Sequence, residues 1–349
     1  MANQKVFRLP NQSERTSHKA ITEFSEPVPQ INSYEVLINI KAVSLNYRDL
    51  VIANGKYPFP VKDKAVPCSD GAGVVTDVGE SVSNFKIGDR VFGNFDPANL
   101  YGPQLDWNSG LGGPLDGNLR DYIALPASSV IKIPEDNHLT FSELASLVCT
   151  GTTVWNALYG NQPLMPGQTV LFQGTGGVSI TGLILAKAAG ASTIITSSSD
   201  EKLKYVKDTY GVDYTINYKK TPNWAEVAKG ITKGEGVDYI IENGGSGTIK
   251  QSLDCIKMGG IISVVGFLSL AKQDDMPDVA LFALSKGCVV RGITVGSKQL
   301  AEQMVKFVSR KNLRPPVEKE FEFNHQGIIA AYDHLESGGH IGKICIRKV

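Results

Sequence analysis

The sequence of 349 residues shows no charge excess, no disulfide pattern and no long apolar run, each of which would indicate a particular class of protein. Basic and acidic residues number 35 each, so no charge excess indicates nucleic acid or an anionic membrane as a partner. The five cysteines are scattered and odd in number, which favours reduced thiols in a cytoplasmic compartment over a disulfide framework. The N-terminus has no apolar stretch typical of a signal peptide. The longest apolar-rich run, 259–271, is too short and too interrupted by glycine to span a bilayer.

Glycine, in contrast, is abundant at 36 residues, and the chain shows two successive patterns. From about residue 36 to residue 133, short apolar segments bounded by glycines predict a small β-barrel. After about Gly151, strands and helices alternate, which predicts a parallel sheet with helices on both faces, and hence an α/β fold. The length suits two domains. The strands expected in the sheet are 170–173, 193–196, 212–217, 237–242, 260–265 and 288–295.

Two further regions have their own character. Residues 94–119 are rich in Gly, Pro, Asn and Asp and are expected to form a long loop. The last part of the chain predicts a helix, a strand, a second helix and a final strand, at 299–309, 319–323, 326–335 and 342–347.

A strand, a glycine-rich turn, a helix and a second strand follow one another between Thr169 and Leu203. This order is typical of a dinucleotide-binding unit, in which the pyrophosphate lies at the helix N-terminus. Ser179 stands where the third glycine of the motif is expected. Either the helix packs less closely on the strand, or the serine hydroxyl faces a phosphate. The expected phosphate-binding residues are Gly174, Thr175, Gly176, Gly177, Val178 and Ser179.

The end of the second strand bears on the choice between NAD(H) and NADP(H). An NAD site carries an acid there, which binds the ribose hydroxyls. Here the strand ends in serines, and Lys202 can neutralise a 2′-phosphate. Asp200 is the rival candidate for the ribose, but its position suits the first turn of the next helix. The sequence therefore favours NADP(H), with contacts expected at Ser197, Ser198, Ser199, Lys202 and Tyr218.

Several motifs resemble those of the medium-chain dehydrogenase/reductase superfamily. The segments 70–75, 78–82 and 85–91 resemble its barrel signature, and 340–343 resembles its closing motif. The resemblance covers essentially the whole chain. It implies a GroES-like catalytic domain formed by 1–150 and 298–349, a Rossmann domain at 151–297, and hydride transfer involving a nicotinamide. Strand ends and the resemblance together imply further cofactor contacts at Thr150, Asn243, Gly266, Phe267, Val295, Gly296 and Lys343.

Zinc-dependent members of this superfamily hold the catalytic metal with a Cys, a His and a second Cys. The corresponding positions here are Asn46, Ser69 and Cys149, so one ligand of three is retained. No cysteine lies between Cys68 and Cys149, so the four-cysteine structural site is also missing. The chain therefore resembles the zinc-free branch, which includes the quinone oxidoreductases, and no metal site is predicted.

Without a metal, hydrogen-bond donors must stabilise the charge that develops on the substrate oxygen. Tyr57 matches a tyrosine that lines the substrate cleft of quinone oxidoreductases, and it either donates a proton or only forms the wall. Asn46 is expected to face the nicotinamide ribose or the substrate oxygen. Arg48 and Asp49 follow in the same segment, and Asp49 is alternatively a structural anchor. Substrate-pocket residues are expected to be Ser69, Phe59, Phe95, Trp107 and Cys149, although the aromatic residues of the long loop also suit packing within it.

The predicted function is zinc-independent, NADPH-dependent reduction of a small carbonyl compound, a quinone or an α,β-unsaturated ketone. One alternative is an alcohol dehydrogenase or carbonyl reductase that acts on simple ketones or aldehydes. Another is a protein that binds NADPH without catalysis, because a fold alone does not guarantee turnover. The resemblance also implies a homodimer, in which the strand at 289–295 extends the sheet across a two-fold axis.

Overall fold

A computed structural model describes residues 2–348, which form two compact units. The first unit includes the chain up to Thr152 and again from Val295 onward, and the second consists of Thr153–Thr294. The strands are β1 (Asn3–Arg8), β2 (Thr22–Pro27), β3 (Glu35–Ser44), β4 (Asp70–Val78), β5 (Arg90–Gly93), β6 (Tyr122–Pro126), β7 (Val130–Lys132), β8 (Thr169–Gln173), β9 (Ser192–Ser197), β10 (Tyr214–Asn217), β11 (Val237–Glu242), β12 (Ile256–Val264), β13 (Val289–Gly292), β14 (Val317–Glu322) and β15 (Lys343–Arg347).

The helices range in length from 6 to 13 residues. A π-helical turn, Leu147–Gly151, joins α2 to α3. The helices are α1 (Tyr47–Ala53), α2 (Phe141–Ser146), α3 (Thr152–Tyr159), α4 (Gly177–Ala188), α5 (Asp200–Tyr210), α6 (Trp224–Ile231), α7 (Ile249–Cys255), α8 (Val279–Lys286), α9 (Lys298–Arg310) and α10 (His325–Glu336).

The first unit is organised around β3. Along this strand, buried residues alternate with partly exposed ones, as expected for a strand with one face on a core. It pairs antiparallel with β4, β6 and β15, and the seven-stranded sheet has the order β14-β15-β3-β4-β5-β7 with β6 on β3. Because β15 lies beside the end of β3, the tail of the chain reaches the start of α1. Val36, Ile38 and Ile40 of β3 belong to the core of this unit.

The second unit is a parallel sheet of six strands in the order β10-β9-β8-β11-β12-β13. The order reverses between β8 and β11, which is the switch point where ligands bind in sheets of this kind. A small β-rich unit and a doubly wound parallel sheet together confirm the predicted α/β fold class.

The extents of several predicted elements differ from the structure. The sixth strand of the sheet ends at Gly292, and the chain then turns irregular, with Val295 at a φ of +59° that a β-branched residue rarely adopts. The second unit ends at Thr294, and the chain returns to the first unit there, so Val295 and Gly296 belong to the first unit. Residues 94–119 form the expected loop, which contains one isolated bridge between Leu111 and Leu115.

Within residues 2–348, no helix combines the length and hydrophobicity that a membrane crossing needs. The same residues hold all five cysteines, and none of them forms a disulfide.

Close packing of α4 on β8 depends on a glycine that the sequence motif does not include. A Cβ atom at Gly182 would lie 2.4 Å from Cε1 of Phe172, which no side chain tolerates without a shift. Gly182 lies one helical turn after Ser179, so the close approach expected of the motif's third glycine occurs here instead.

Gly182→Ala is expected to lower the free energy of unfolding by about 1–3 kcal/mol, because the methyl group overpacks against the Phe172 ring. Gly230→Ala is the matched control, since Gly230 also lies in a helix but has no atom within 4 Å of its Cβ position. Chemical denaturation of both variants checks this. Equal stability of the Gly182→Ala variant and the wild type would contradict the packing role.

Candidate functional site

The glycine-rich turn of the second unit leaves open space at the N-terminus of α4. Gly174 has a φ of +76°, which favours glycine, and neither Gly174 nor Gly176 has an atom within 4 Å of its Cβ position. Gly176 is the N-cap residue of α4, with no side chain to cover the first amides of the helix. Because these amides and the positive end of the helix dipole attract anions, the cradle fits the pyrophosphate of a dinucleotide. Thr175 and Val178 lie within the same turn.

Ser179, in contrast, does not face this cradle. Its side chain is buried, its hydroxyl donates to the carbonyl of Gln173 at 2.6 Å, and it accepts from Nδ2 of Asn243 at 3.0 Å. The hydroxyl thus joins α4 to the ends of β8 and β11. The alternative that Ser179 binds phosphate is wrong for this geometry, because its hydrogen-bonding capacity is used inside the sheet.

A buried glutamate that the sequence analysis missed organises the switch point. Glu242 is fully buried at the end of β11 and accepts hydrogen bonds from Gln173 Nε2 (2.7 Å), Ser252 Oγ (2.5 Å) and Thr248 Oγ1 (2.5 Å). It also accepts the backbone N–H groups of Gly244 and Gly245 at 2.9 and 3.0 Å. These bonds satisfy a buried carboxylate without a cation and fix the loop that follows β11.

Asn243 belongs to the same network. Its Nδ2 donates to the Gln173 carbonyl at 2.9 Å, so its amide is largely engaged in holding the strand ends together. Gly266 packs against it, since a Cβ there would lie 2.4 Å from the carbonyl oxygen of Asn243. Phe267 is partly exposed, at 43 %. These predicted cofactor residues therefore lie together at the C-terminal ends of β11 and β12.

Beyond β9, the serine run begins α5 as the sequence pattern predicts. Ser199 is the N-cap of α5, and its Oγ accepts the N–H of Lys202 at 3.2 Å while donating to Glu201 at 2.6 Å. Ser197 is buried at the strand end and its carbonyl accepts the N–H of Tyr218 at 3.1 Å. Ser197, Ser198, Ser199, Lys202 and Tyr218 thus lie at neighbouring strand ends.

Asp200 is held by groups from the loop after β10. Its carboxylate accepts from Asn217 Nδ2 at 2.7 Å and pairs with the ammonium of Lys220. The Lys220 ammonium and the Asn217 amide lower the pKa of Asp200, so it is ionised and its charge is balanced. Asp200 therefore has a role within the fold. Lys220 is a second cation near the serine run, which the sequence analysis missed because pairing between separate loops leaves no local pattern.

In the first unit, two of the three positions that correspond to zinc ligands, Asn46 and Ser69, are engaged in other interactions. The ammonium of Lys343, 2 % exposed, donates to the carbonyl of Leu45 and to Oδ1 of Asn46, both at 2.6 Å. Ser69 donates its hydroxyl to Oδ1 of Asp70 at 2.7 Å. Only the thiol of Cys149 remains as a conventional zinc ligand, and a cation already lies against Asn46. This donor set does not fit a catalytic zinc ion.

Lys343 and Asp70 form the charged pair of this cluster. Nζ of Lys343 lies 3.8 Å from Oδ2 of Asp70, and both side chains are buried. The same carboxylate accepts the backbone N–H of Cys149 at 3.2 Å. Burial raises the pKa of Asp70, and the Lys343 ammonium opposes that rise. Lys343, expected to contact the cofactor, instead bonds to residues of its own unit.

Asp49 lies beneath Asn46 as the third residue of α1. It is fully buried, and its Oδ2 accepts the backbone N–H of Asn46 at 2.8 Å, while Oδ1 has no hydrogen-bond partner. Burial raises the pKa of Asp49 to about 6, and the Arg48 guanidinium opposes this shift. Asp49 thus anchors the start of α1, which agrees with the alternative that this residue is a structural anchor.

Tyr57 and Arg48 form a second group in the same unit. Nε of Arg48 donates to the Tyr57 hydroxyl at 3.2 Å, and Nη1 donates to the carbonyl of Leu111 at 2.9 Å. The guanidinium carbon lies 5.0 Å from the centre of the Phe95 ring. Phe95 is buried, so it packs the loop rather than presenting a face to a ligand.

The other predicted aromatic residues stack on one another. Phe59 and Trp107 are parallel with ring centres 4.0 Å apart, and Phe59 meets Tyr57 edge to face at 5.3 Å. Cys149 and Thr150 lie in the π-helical turn Leu147–Gly151, a geometry frequent at functional sites.

A separate group of possible metal ligands in the first unit consists of His18 and two acids of α10. His18, Asp333 and Glu336 have ligand atoms within 4.8 Å of one another, and no other such group occurs among residues 2–348. Nε2 of His18 bonds to Asp333 at 2.8 Å, which accounts for the proximity without a metal.

Comparison with known proteins agrees with this architecture. A family model described as alcohol dehydrogenase GroES-like domain matches residues 32–135, and one described as zinc-binding dehydrogenase matches residues 177–310. A zinc-type alcohol dehydrogenase-like protein of Schizosaccharomyces pombe is 43% identical over 328 residues, covering 92% of this chain and 93% of its own. The chain belongs to the medium-chain dehydrogenase/reductase superfamily.

Two solved structures of the superfamily share the fold over nearly the full length. A protein from Sinorhizobium meliloti 1021 that carries the name alcohol dehydrogenase is 35% identical, with a TM-score of 0.87 and 99% of each chain covered. An NAD-dependent alcohol dehydrogenase is 26% identical, with a TM-score of 0.85, and covers 98% of this chain and 99% of its own. This medium-chain dehydrogenase/reductase is accordingly an oxidoreductase that uses a nicotinamide cofactor, which confirms the predicted family and class of reaction.

Asp49→Asn is expected to change the pH dependence of stability. Since the folded-state pKa of Asp49 is raised to about 6, the folded state binds the proton more tightly than the unfolded state. Stability from this group is therefore present at low pH and is lost as pH rises from about 4 to about 6, by up to about 3 kcal/mol. The asparagine variant escapes this loss and still accepts the Asn46 N–H.

Denaturation of the Asp49→Asn variant and the wild type at pH 4, 5, 6 and 7 tests this expectation. The stability of the variant relative to the wild type should increase with pH and level off near pH 7. Asp77→Asn, which removes an exposed carboxylate from β4 of the same unit, is the control. A difference that stays constant with pH would show that Asp49 has no raised pKa.

Proposed function

We propose that this chain is a zinc-independent, NADPH-dependent oxidoreductase that transfers hydride to a small activated carbonyl compound, a quinone or an α,β-unsaturated ketone. The observation that carries the proposal is the use of the zinc-ligand positions: the Lys343 ammonium binds Asn46 Oδ1, and Ser69 bonds to Asp70. A metal that polarises a carbonyl would need these atoms. The absence of disulfides also suits a reducing, cytoplasmic compartment.

The second unit would hold the cofactor through the cradle at Gly174–Val178 and the serine run after β9. When bound, the reduced nicotinamide supplies the hydride. Lys202, at the start of α5, supplies positive charge for a 2′-phosphate, while Lys220 neutralises Asp200, which could otherwise bind the ribose hydroxyls of NAD. This charge arrangement favours NADP(H).

The first unit would stabilise the substrate oxygen with the Tyr57 phenol. The Tyr57 hydroxyl accepts from Arg48 and keeps its own proton for a further acceptor. Asn46 belongs to the charged cluster instead, because its Oδ1 accepts from Lys343 and its buried amide group lowers the pKa of Asp70. A phenol gives less stabilisation than a metal ion, which suits an acceptor whose enolate charge is already delocalised.

Replacing Lys202 tests the cofactor preference. Lys202→Ala is expected to raise the KM for NADPH by roughly 10–100-fold, the cost of losing a charge-assisted hydrogen bond, and to leave the KM for NADH unchanged. Lys204→Ala is the control, because Lys204 lies on the same helix and pairs with Asp208 instead. A loss that is equal for NADPH and NADH would contradict a contact with the 2′-phosphate.

The reaction is tested with the purified protein, NADPH and one enone, together with a metal analysis. The expected product is the saturated ketone, formed by hydride at the β-carbon and a proton at the α-carbon, in protein that contains far less than one zinc per chain and resists chelators. An allylic alcohol as product would instead support the carbonyl reductase alternative. One zinc per chain, with activity lost on chelation, would contradict the zinc-free mechanism.

The edge of the second sheet suits a second copy of the chain. Within the described residues, β13 pairs with β12 alone, and Leu281 and Leu284 on the neighbouring helix α8 are 60% and 80% exposed. An isologous pairing of two β13 strands would continue the sheet and cover these leucines. We therefore assign a homodimer to this edge.

Light scattering after size exclusion tests the homodimer. The wild type is expected at twice the mass of one chain, and the Leu281→Glu/Leu284→Glu variant at the mass of one chain, because buried unpaired carboxylates oppose association. Leu105→Glu, at a residue 94% exposed in the first unit, should remain dimeric. A monomeric wild type would rule out this assembly.

A further inference from the structure

The Arg48 guanidinium is enclosed by groups that leave it little freedom. It lies 5.3 Å from the Tyr57 ring centre and 5.0 Å from that of Phe95, and Nη1 donates to the Leu111 carbonyl. A Cβ at Gly113 would lie 2.5 Å from Nη2 of Arg48, so a glycine there leaves room for the guanidinium. The long loop 94–119 thus contacts Arg48 through Phe95 and Leu111 and leaves space for it at Gly113.

The direction of the hydrogen bond between Arg48 and Tyr57 follows from chemistry alone. A guanidinium has five N–H donors and no acceptor, so the Tyr57 oxygen must accept from Nε. The single proton of the phenol therefore has to point toward some other acceptor. A donated bond from a cation also favours the phenolate form, which makes the phenol a better proton donor.

The groups around Tyr57 show how its contact with Arg48 affects the pKa of the phenol. Tyr57 is partly buried, and this burial raises the pKa of its phenol, as do the nearby Cys149 and Asp49. Arg48 opposes all three, through its charge and through its hydrogen bond. Without Arg48, the phenol would be both harder to ionise and free to turn its proton toward any nearby acceptor.

We infer that Arg48 is a positioning residue that directs the Tyr57 proton toward the substrate oxygen and couples this tyrosine to the loop 94–119. This inference rests on the proposed function, since it supplies the orientation that the proposed donor needs. Arg48 itself does not contact the substrate. The loop contributes by holding Arg48 in place through Leu111 and Phe95.

A spectroscopic test does not depend on turnover. 3-Fluorotyrosine placed at position 57 alone gives one ¹⁹F resonance, and the electron-withdrawing fluorine lowers the pKa of the phenol, which makes the titration easier to follow. Arg48→Met is expected to raise this pKa by about one unit or more, since an adjacent opposite charge shifts a pKa by about 1–3 units. Arg90→Met is the matched control, because Arg90 also binds a backbone carbonyl and lies over an aromatic ring, that of Phe141.

Kinetics with an enone and NADPH provide the second arm. Tyr57→Phe and Arg48→Met are each expected to lower kcat by about 100-fold, the usual contribution of a positioned proton donor. The double variant should be no slower than either single one, because both changes remove the same directed proton. The KM for NADPH should remain the same in all three variants.

The outcomes separate the two proposals. An unchanged fluorotyrosine pKa in the Arg48→Met variant, or losses of kcat that multiply in the double variant, would overturn the role of Arg48. If the wild type reduces no quinone or enone, the proposed function fails, and the fluorine titration still decides whether Arg48 controls Tyr57.

Discussion

The buried ammonium of Lys343 is the interaction on which the rest of the first unit's cluster depends. A cation that is 2% exposed must be fully hydrogen-bonded, and this one binds the Leu45 carbonyl and the Asn46 amide and lies 3.8 Å from Asp70. These partners come from the segment between β3 and α1 and from the start of β4, while Lys343 itself begins β15. The ammonium therefore joins the start of β4, the start of β15 and the segment after β3 at one charge.

The direction of donation is the second constraint that shapes this chemistry. Lysine and arginine only donate, so each fixes which side of its partner remains available. Lys343 takes the oxygen of the Asn46 amide, and Arg48 takes the oxygen of the Tyr57 phenol. The Tyr57 phenol is left with its own O–H to offer, whereas the amide of Asn46 is buried and lowers the pKa of Asp70. A donor oriented in this way needs no rearrangement when an acceptor binds, because its dipole is already aligned.

In the second unit, neutral groups rather than cations satisfy the buried polar side chains. Glu242 is satisfied entirely by Gln173, two hydroxyls and two backbone amides, and Ser179 joins α4 to two strands from within. The glycine cradle lies at this end of the sheet, and the space next to Gly174 and Gly176 is open. Asp200 illustrates how charge pairing changes the surroundings of a motif, because its carboxylate is paired with Lys220 from the loop after β10.

The sequence by itself determined the α/β class, the family and the order of the elements, because the glycine turn, the alternation of strand and helix and the barrel motifs are local patterns. Through the resemblance to zinc-dependent members of the family, it also indicated that Asn46 and Ser69 stand at two of their ligand positions. Only the tertiary structure decided the partner of each polar group. Ser179 turned inward, Gly182 replaced the third glycine, and Lys343 and Glu242 emerged as buried centres. Each of these depends on contacts between residues far apart in the chain, and no local pattern records which distant atom a buried charge will meet.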